Sequence, residues 1–452
     1  MSVLLRRLHA KETGPDMKFQ QSMIVTILTA LSIFSVAVDL SLAQQARTDY
    51  QIGYYQQMLK RHPRNTTVLL GLGDALIRKA RESGDPSYFN RAEEALQKAL
   101  AIAPQNAGAL RHLAYVFYSR HEFAPAAVQA RRALEINSED SDAYGILGDA
   151  LLEVGRYAEA EAAYDHMVQL ERSLYSYSRL AGLKSTRGDS AGAIVDLERA
   201  VALGKAAKQP SEGIAWAEWQ LGMEHFAVGD LLKAESCYRQ SLQTYPNYYR
   251  ALAGMAQLRT AQKSYDEAID FYQKAIAILP MPDYAAALGD IYAKTGRDEQ
   301  ARQQYALVEY IGRLNEINKV LYNRELAYFY ADHDLKLNVG LELAQRELDY
   351  RRDIYAYDLL AWNLYKNGRL DEARAAIEEA LKLGTKDAKL FFHAGMIYSS
   401  LDAKAKASEF LSLALSTNRN FHPVFSATAA EILERLEHGT DRAGVKRQGQ
   451  GG

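Results

Sequence analysis

A small residue returns along this chain at a nearly fixed interval, and that recurrence limits the fold more than any other feature. Gly73, Ala114, Gly148, Ala181, Gly222, Ala256, Gly289, Ala327, Ala361 and Gly395 stand in the same local pattern, at successive intervals of 41, 34, 33, 41, 34, 33, 38, 34 and 34 residues. Apolar residues around them recur at three- and four-residue steps, as at Leu360 and Leu364, then Ile377, Ala380 and Leu381, which is the period of a helix face. A second small residue follows in many units: Ala160, Ala193, Ala234, Ala268, Ala301 and Ala373. Small residues on both helices of a pair let the helices approach closely. Between the two helices come Gly155, Gly188, Gly229, Gly296 and Gly368, where a left-handed backbone ends a helix at no steric cost. Each unit is therefore a helix pair. No pair of this size buries its apolar face alone, so neighbours must stack, and the ten units, from about Asn65 to Asn418, form one array. The long intervals place insertions at Ser83–Ser87, Lys205–Gly213 and near Gly312–Lys319.

After Gly148 come Leu151, Gly155, Tyr157, Ala160, Tyr164 and Met167; after Gly289 come Tyr292, Gly296, Ala301, Tyr305 and Val308. These residues resemble the tetratricopeptide repeat: an aromatic, Leu-Gly, Tyr, then Ala, an aromatic and a closing Pro such as Pro280. The resemblance implies an all-α fold, a right-handed superhelical α-solenoid of about ten helix pairs with a C-terminal capping helix. The expected divisions are a signal segment at 1–43, a capping region at 44–64, the solenoid at 65–420, a capping helix at 421–438 and a disordered tail at 439–452. The cap is read from the apolar stripe Phe425, Ala429, Ile432, Leu433 and Leu436. Leu360–Gly368 and Phe392–Ile397 also resemble the end of a group of bacterial proteins with this repeat, which implies a bacterial source.

Met23–Val38 is a 16-residue apolar stretch preceded by Lys18 and followed by Ser41-Leu42-Ala43 and Gln44. This is the pattern of a secretory signal cleaved after Ala43, with Met17 as the expected initiator. The stretch falls short of the ~20 residues of a membrane span, although an uncleaved anchor in the inner membrane is the alternative. The protein is expected to be periplasmic or secreted, with no membrane contact after cleavage. Lys plus Arg number 54 and Asp plus Glu 56, so no basic excess exists to neutralise a nucleic-acid backbone. The single cysteine, Cys237, forms no intramolecular disulfide and reads as a buried, inert thiol.

No catalytic constellation is recognisable. His121-Glu122 lacks a second His at metalloprotease spacing, Gly204-Lys205-Ala206 lacks the rest of a phosphate loop, and Gly71-Leu72-Gly73 lacks a third glycine. The expectation is a chain that is not an enzyme, with no metal and no cofactor, acting as an exported scaffold for peptide or protein partners. An accessory subunit of a bacterial envelope machine, such as polysaccharide export or secretion, is the alternative. The resemblance puts partner binding on the concave face, which the first helices line. In the fifth unit the concave positions hold Trp216, Trp219, Met223 and Phe226, either an aromatic ridge for a peptide or aromatics covered by the insertion before them. The last three units place Arg324 and Tyr328, then Tyr355, Asp358, Trp362 and Tyr365, then Lys389, Phe392 and Met396 on the same face; packing on the capping helix is the other reading. Arg111, Tyr115 and Tyr118 form a weaker third patch. Tyr164, Tyr238, Tyr272 and Tyr305 hold packing positions of the repeat.

Overall fold

The structure, a computed structural model, describes residues 47–317 and 323–448. The expected signal segment, including Met17 and the cleavage site at Ala43, lies outside the described residues. Residues 1–54 and 55–452 are two compact units. In the first, residues 47–54 are helical; the second begins with helical residues 55–61. All ten helix pairs are present: Thr66–Ser83 with Ser87–Ile102, Ala107–Ser119 with Phe123–Ile136, Ser141–Glu153 with Tyr157–Leu170, Leu174–Thr186 with Ser190–Ala206, Ser211–Ala227 with Leu231–Thr244, Tyr249–Ala261 with Tyr265–Ile278, Pro282–Lys294 with Asp298–Ile317, Arg324–Asp332 with Leu337–Glu347, Ile354–Lys366 with Leu370–Leu381, and Ala388–Ser400 with Lys404–Thr417. The fold is an all-α repeat solenoid.

The anchors work as the spacing requires. All ten are buried. A methyl group on Gly222 would come within 2.5 Å of the Tyr238 ring, and one on Gly395 within 2.6 Å of Leu411. Gly148 and Gly289 face Tyr164 and Tyr305 in the same way, so the repeat tyrosines are packing residues. Several first helices start at side-chain caps, while those beginning at Ser211, Tyr249, Pro282 and Arg324 have none. Asn65, Asn106, Asp140, Asp353 and Asp387 each accept a backbone N–H of the first turn, which satisfies one of the four orphan donors there.

Two expectations change. The insertion Lys205–Gly213 does not form a covering loop. It lengthens the flanking helices, which run to Ala206 and restart at Ser211. The last helix, Phe425–Gln448, continues past 438, so residues 439–448, expected to be disordered, are helical.

The coil also closes on itself, which the repeat register does not reveal. Arg352 N donates to Glu153 O at 2.9 Å, and Ile354 N donates to Tyr157 Oη at 2.8 Å. Thr385 Oγ1 donates to Thr186 O, and Asn418 Nδ2 donates to Phe226 O at 2.7 Å. Leu279 packs on Gly84. In each case the turn inside a unit (1, 3, 4 or 5) meets the linker that follows unit 6, 8, 9 or 10. One turn of the coil thus takes between five and six units, and this line of contacts is a seam between successive turns. First helices of successive units contact one another along most of the coil, so the face they share is the inner wall of this closed coil, its lumen wall.

Candidate functional site

The lumen wall of units 8–10 holds a pocket of about 230 Å³, lined by Arg324, Glu325, Tyr328, Tyr355, Asp358, Asp387, Lys389 and Leu390. Five of these residues, Arg324, Tyr328, Tyr355, Asp358 and Lys389, were expected at a partner site from their register alone. Tyr328 Oη donates to Asp358 Oδ2 at 2.8 Å. Lys389 Nζ lies 4.3 Å over the Tyr328 ring and 3.3 Å from Asp332 Oδ2. Arg324 reaches behind the wall, to Glu347 at 3.0 Å and Asp353 at 2.8 Å. Tyr355 is half-buried on the wall. Burial first, then the nearby Asp387, Asp353 and Glu224, push its phenol well above the ordinary range. Glu224 belongs to unit 5, so the pocket senses charge from another part of the coil. Asp387 is the cap of the last first-helix, accepting from Lys389 N and Leu390 N; burial raises its carboxyl. Glu325 and Asp387 were missed by the register argument. An Asp just before a helical run is a legible cap signal, and here the cap side chain doubles as pocket wall.

The rest of the expected patch is packing. Trp362 and Phe392 are only 2% and 1% exposed, which corrects the expectation of a solvent-facing groove; Asp358, although it lines the pocket, is itself only 3% exposed. Trp362 is sandwiched between Tyr365 at 4.9 Å and His393 at 4.2 Å and donates Nε1–H to Asp332 Oδ1 at 2.7 Å. Phe392 stacks on Phe425 of the last helix at 4.8 Å. Met396 and Tyr365 pack half-buried on the same cluster. The last helix supplies a partner wherever the wall is most apolar, and leaves open the mixed aromatic and charged part.

In unit 5, Phe226 is buried against Ala234, Tyr238, Met255 and Leu258, a second correction. Trp216 and Trp219 are half-buried between neighbouring units, touching Tyr248 and Ala251. Met223 remains 44% exposed. The Arg250 guanidinium lies 5.0 Å over the Trp219 ring. The covering comes from the neighbouring units, Leu174 and Val201 of unit 4 against Trp216, and Tyr248 and Ala251 of unit 6 against both tryptophans, and not from the insertion. In the third patch, Arg111 pairs with Asp140 and Asp142, each at 3.3 Å, and Tyr118 packs edge-on to Phe123 at 5.6 Å. Cys237 is buried, and burial pushes its thiol up to about 11, which keeps it protonated and unreactive at neutral pH.

The fold and its lumen wall define a class first: an α-helical repeat solenoid. Tetratricopeptide-repeat models match residues 120–172, 213–281 and 354–387, so the chain carries tetratricopeptide repeats. No curated protein matches the chain. Among solved structures it is similar to the human IFIT1 dimer with PPP-AAAA, at 16% identity over 74% of this chain and 77% of that one, with a TM-score of 0.48. It is also similar to yeast Tom70, at 12% identity over 83% and 96% of the two chains, TM-score 0.34. YrrB, described as a TPR protein with an unusual peptide-binding site, is 22% identical over 42% of this chain and 94% of its own, TM-score 0.29.

Proposed function

We propose that this chain is an exported interaction scaffold that holds an extended segment of a partner protein against the lumen wall of units 8–10. The pocket around Tyr328 and Tyr355 carries the reading. Its walls include two aromatic rings, Tyr328, fixed by its bond to Asp358 and by Lys389 over its face, and the half-buried Tyr355. A rigid ring loses little entropy when it meets a peptide. Its charges of both signs, Arg324, Glu325, Asp387 and Lys389, suit a polypeptide backbone and its side chains. A segment reaches the pocket along the coil axis or through a parted seam.

The test is a photo-crosslinking residue placed at Tyr355, with a second protein carrying it at Leu232, which is 82% exposed on the second helix of unit 5. Envelope extracts should give a discrete polypeptide adduct from position 355 and none from 232. Tyr355→Ala should weaken binding of the polypeptide so identified by about tenfold, the effect of losing one interface anchor, with an unchanged helical melting curve. No adduct, or one of equal yield at both positions, would sink the reading. Export is tested by N-terminal sequencing of the mature protein, which should begin at Gln44; a mature chain that keeps the apolar stretch would be an anchored form.

A further inference from the structure

A second cavity lies away from that pocket, on the seam line. It measures about 480 Å³ and sits where the ends of the first helices of units 6 and 7 meet the segment 419–427. Three cations line it: Lys263, Lys294 and Arg419. None of them is ion-paired with a carboxylate among the described residues, whereas most arginines of the coil are. Lys294 Nζ donates only to a carbonyl, that of Pro423, at 3.1 Å. The one carboxylate on the wall, Asp290, is already occupied. Its Oδ1 takes the Tyr305 hydroxyl at 3.0 Å and His333 Nε2 at 2.6 Å. His333 also holds the Phe329 carbonyl through Nδ1 at 2.8 Å. Both ring nitrogens thus face acceptors. Burial works against a charge on His333, but the bond to Asp290, the charge of Asp290 and the Phe329 carbonyl together outweigh it and raise the group.

Two further features add positive potential. The last helix begins at the cavity, with Ser426 and Ala427 of its first turn on the wall, and a helix N-terminus carries about half a positive charge. His422 caps that helix. Its Nδ1 accepts from Val424 N and Phe425 N, each at 3.2 Å, so its single proton sits on Nε2. That N–H is a donor with no acceptor among the described residues. Tyr272, Ile291 and Phe421 give the wall an apolar stretch, beside the polar Gln257, Thr260 and Asn420. Cavities of this size take small organic molecules.

We propose that the seam cavity binds a small organic anion, its phosphate or carboxylate head held by Arg419, Lys294, Lys263 and His422 Nε2–H and its apolar body laid on Tyr272, Ile291 and Phe421. Bound there, the anion bridges units 6 and 7 to the segment that leads into the last helix, and so holds the seam shut.

The experiment is calorimetric titration of the full chain with phenyl phosphate, benzoate and neutral benzyl alcohol, with hydrogen exchange followed at residues 419–427. The anions should bind and benzyl alcohol should bind at least tenfold more weakly. The stronger of phenyl phosphate and benzoate assigns the head group. Arg419→Gln and Lys294→Gln should each cost about tenfold, the usual effect of losing one charge-assisted bond, and anion binding should slow exchange at 419–427. Arg419→Gln on an exposed side chain leaves the fold intact by circular dichroism. Tyr355→Ala should leave anion affinity unchanged, which separates this site from the lumen pocket. Equal binding of benzyl alcohol, unaltered affinity in the Arg419→Gln/Lys294→Gln double variant, or no heat and no protection with either anion at millimolar concentration would each overturn the proposal.

Discussion

Gly155 and Gly368 hold the same place in their repeats and the same backbone, with φ of 75° at both, yet only one of them touches another turn of the coil. The ideal Cβ of Gly155 would lie 2.5 Å from Arg352 O, and that of Gly188 would strike Gly384 O, whereas Gly296 and Gly368 have nothing within 4 Å. The turns of units 7 and 9 need glycine for its left-handed backbone alone. Those of units 3 and 4 need it a second time, because a linker five repeats further on lies where a side chain would project. Elsewhere the same slot accepts His121, Lys263, Asp334 and Asp402 at positive φ, which a left-handed turn tolerates at a modest cost. One repeat position therefore carries two physical demands, and the seam is where they coincide.

The largest effect should come from the charge cluster beside Gly155. Arg351, 4% exposed, pairs with Glu153 at 2.6 Å and Glu347 at 2.9 Å and lies over the Phe123 ring at 4.8 Å. Arg351→Met keeps most of the volume but leaves Glu153 without its guanidinium and Glu347 with that of Arg324 alone, which should destabilise by about 3 kcal/mol. Its counterpart at a free turn is the exposed Arg369–Glu372 pair of unit 9, and Arg369→Met should leave chemical unfolding unchanged. An equal response from both variants would mean that the seam adds no stability. Next come the glycines. Gly368→Ala and Gly296→Ala should cost about 1–2 kcal/mol, the left-handed penalty of an L-residue. Gly155→Ala and Gly188→Ala should cost more, about 3 kcal/mol, since overpacking adds to it. Hydrogen exchange separates the two causes. Arg352 N–H and Ile354 N–H are bonded only across the seam, so they should exchange faster in Gly155→Ala and stay protected in Gly368→Ala.

This contrast also marks how far the sequence could be read. Ten anchors in register specify ten helix pairs, because the contacts they make, Gly222 on Tyr238 or Gly395 on Leu411, fall within one unit of chain. The lumen pocket was legible for the same reason: Arg324, Tyr328, Tyr355 and Lys389 share a helix face at a fixed offset from their anchors. Trp362, Phe392 and Phe226 look identical in that register, and what buried them lies elsewhere, in Phe425 of the last helix or in Met255 and Leu258 of the next unit. The seam joins residues 192–199 apart, and its spacing depends on the pitch of the whole coil. No local pattern encodes that pitch, so neither the closure nor the cavity on it could be seen in advance.

The smallest expected effect is a change of slope with pH, and it tests whether the seam cluster behaves as one unit. Two guanidiniums, Arg324 and Arg351, face three carboxylates, Glu153, Glu347 and Asp353, so one carboxylate is in excess. Burial pushes Glu153 up to about 7 against the pull of Arg351. A carboxyl whose folded value exceeds its unfolded value, about 4.3, stabilises the fold while protonated, and that contribution is lost as pH rises from about 4.3 to 7. His121, whose Nδ1 accepts from Arg351 Nη2 at 2.9 Å, behaves oppositely. Burial, then Arg351, push it down to about 3, so its contribution is present above about 6.5 and is lost as pH falls towards 3. Between about pH 4.3 and 6.5 the two slopes oppose each other, and the intrinsic-rate-corrected protection of Arg352 N–H should vary little. Glu153→Gln removes one of them, so seam protection in that variant should climb with pH through the same window, while amides at the Gly368 turn keep the wild-type profile. A flat profile in Glu153→Gln would show that the excess proton is not held at Glu153, and would move the charge imbalance to Glu347 or Asp353.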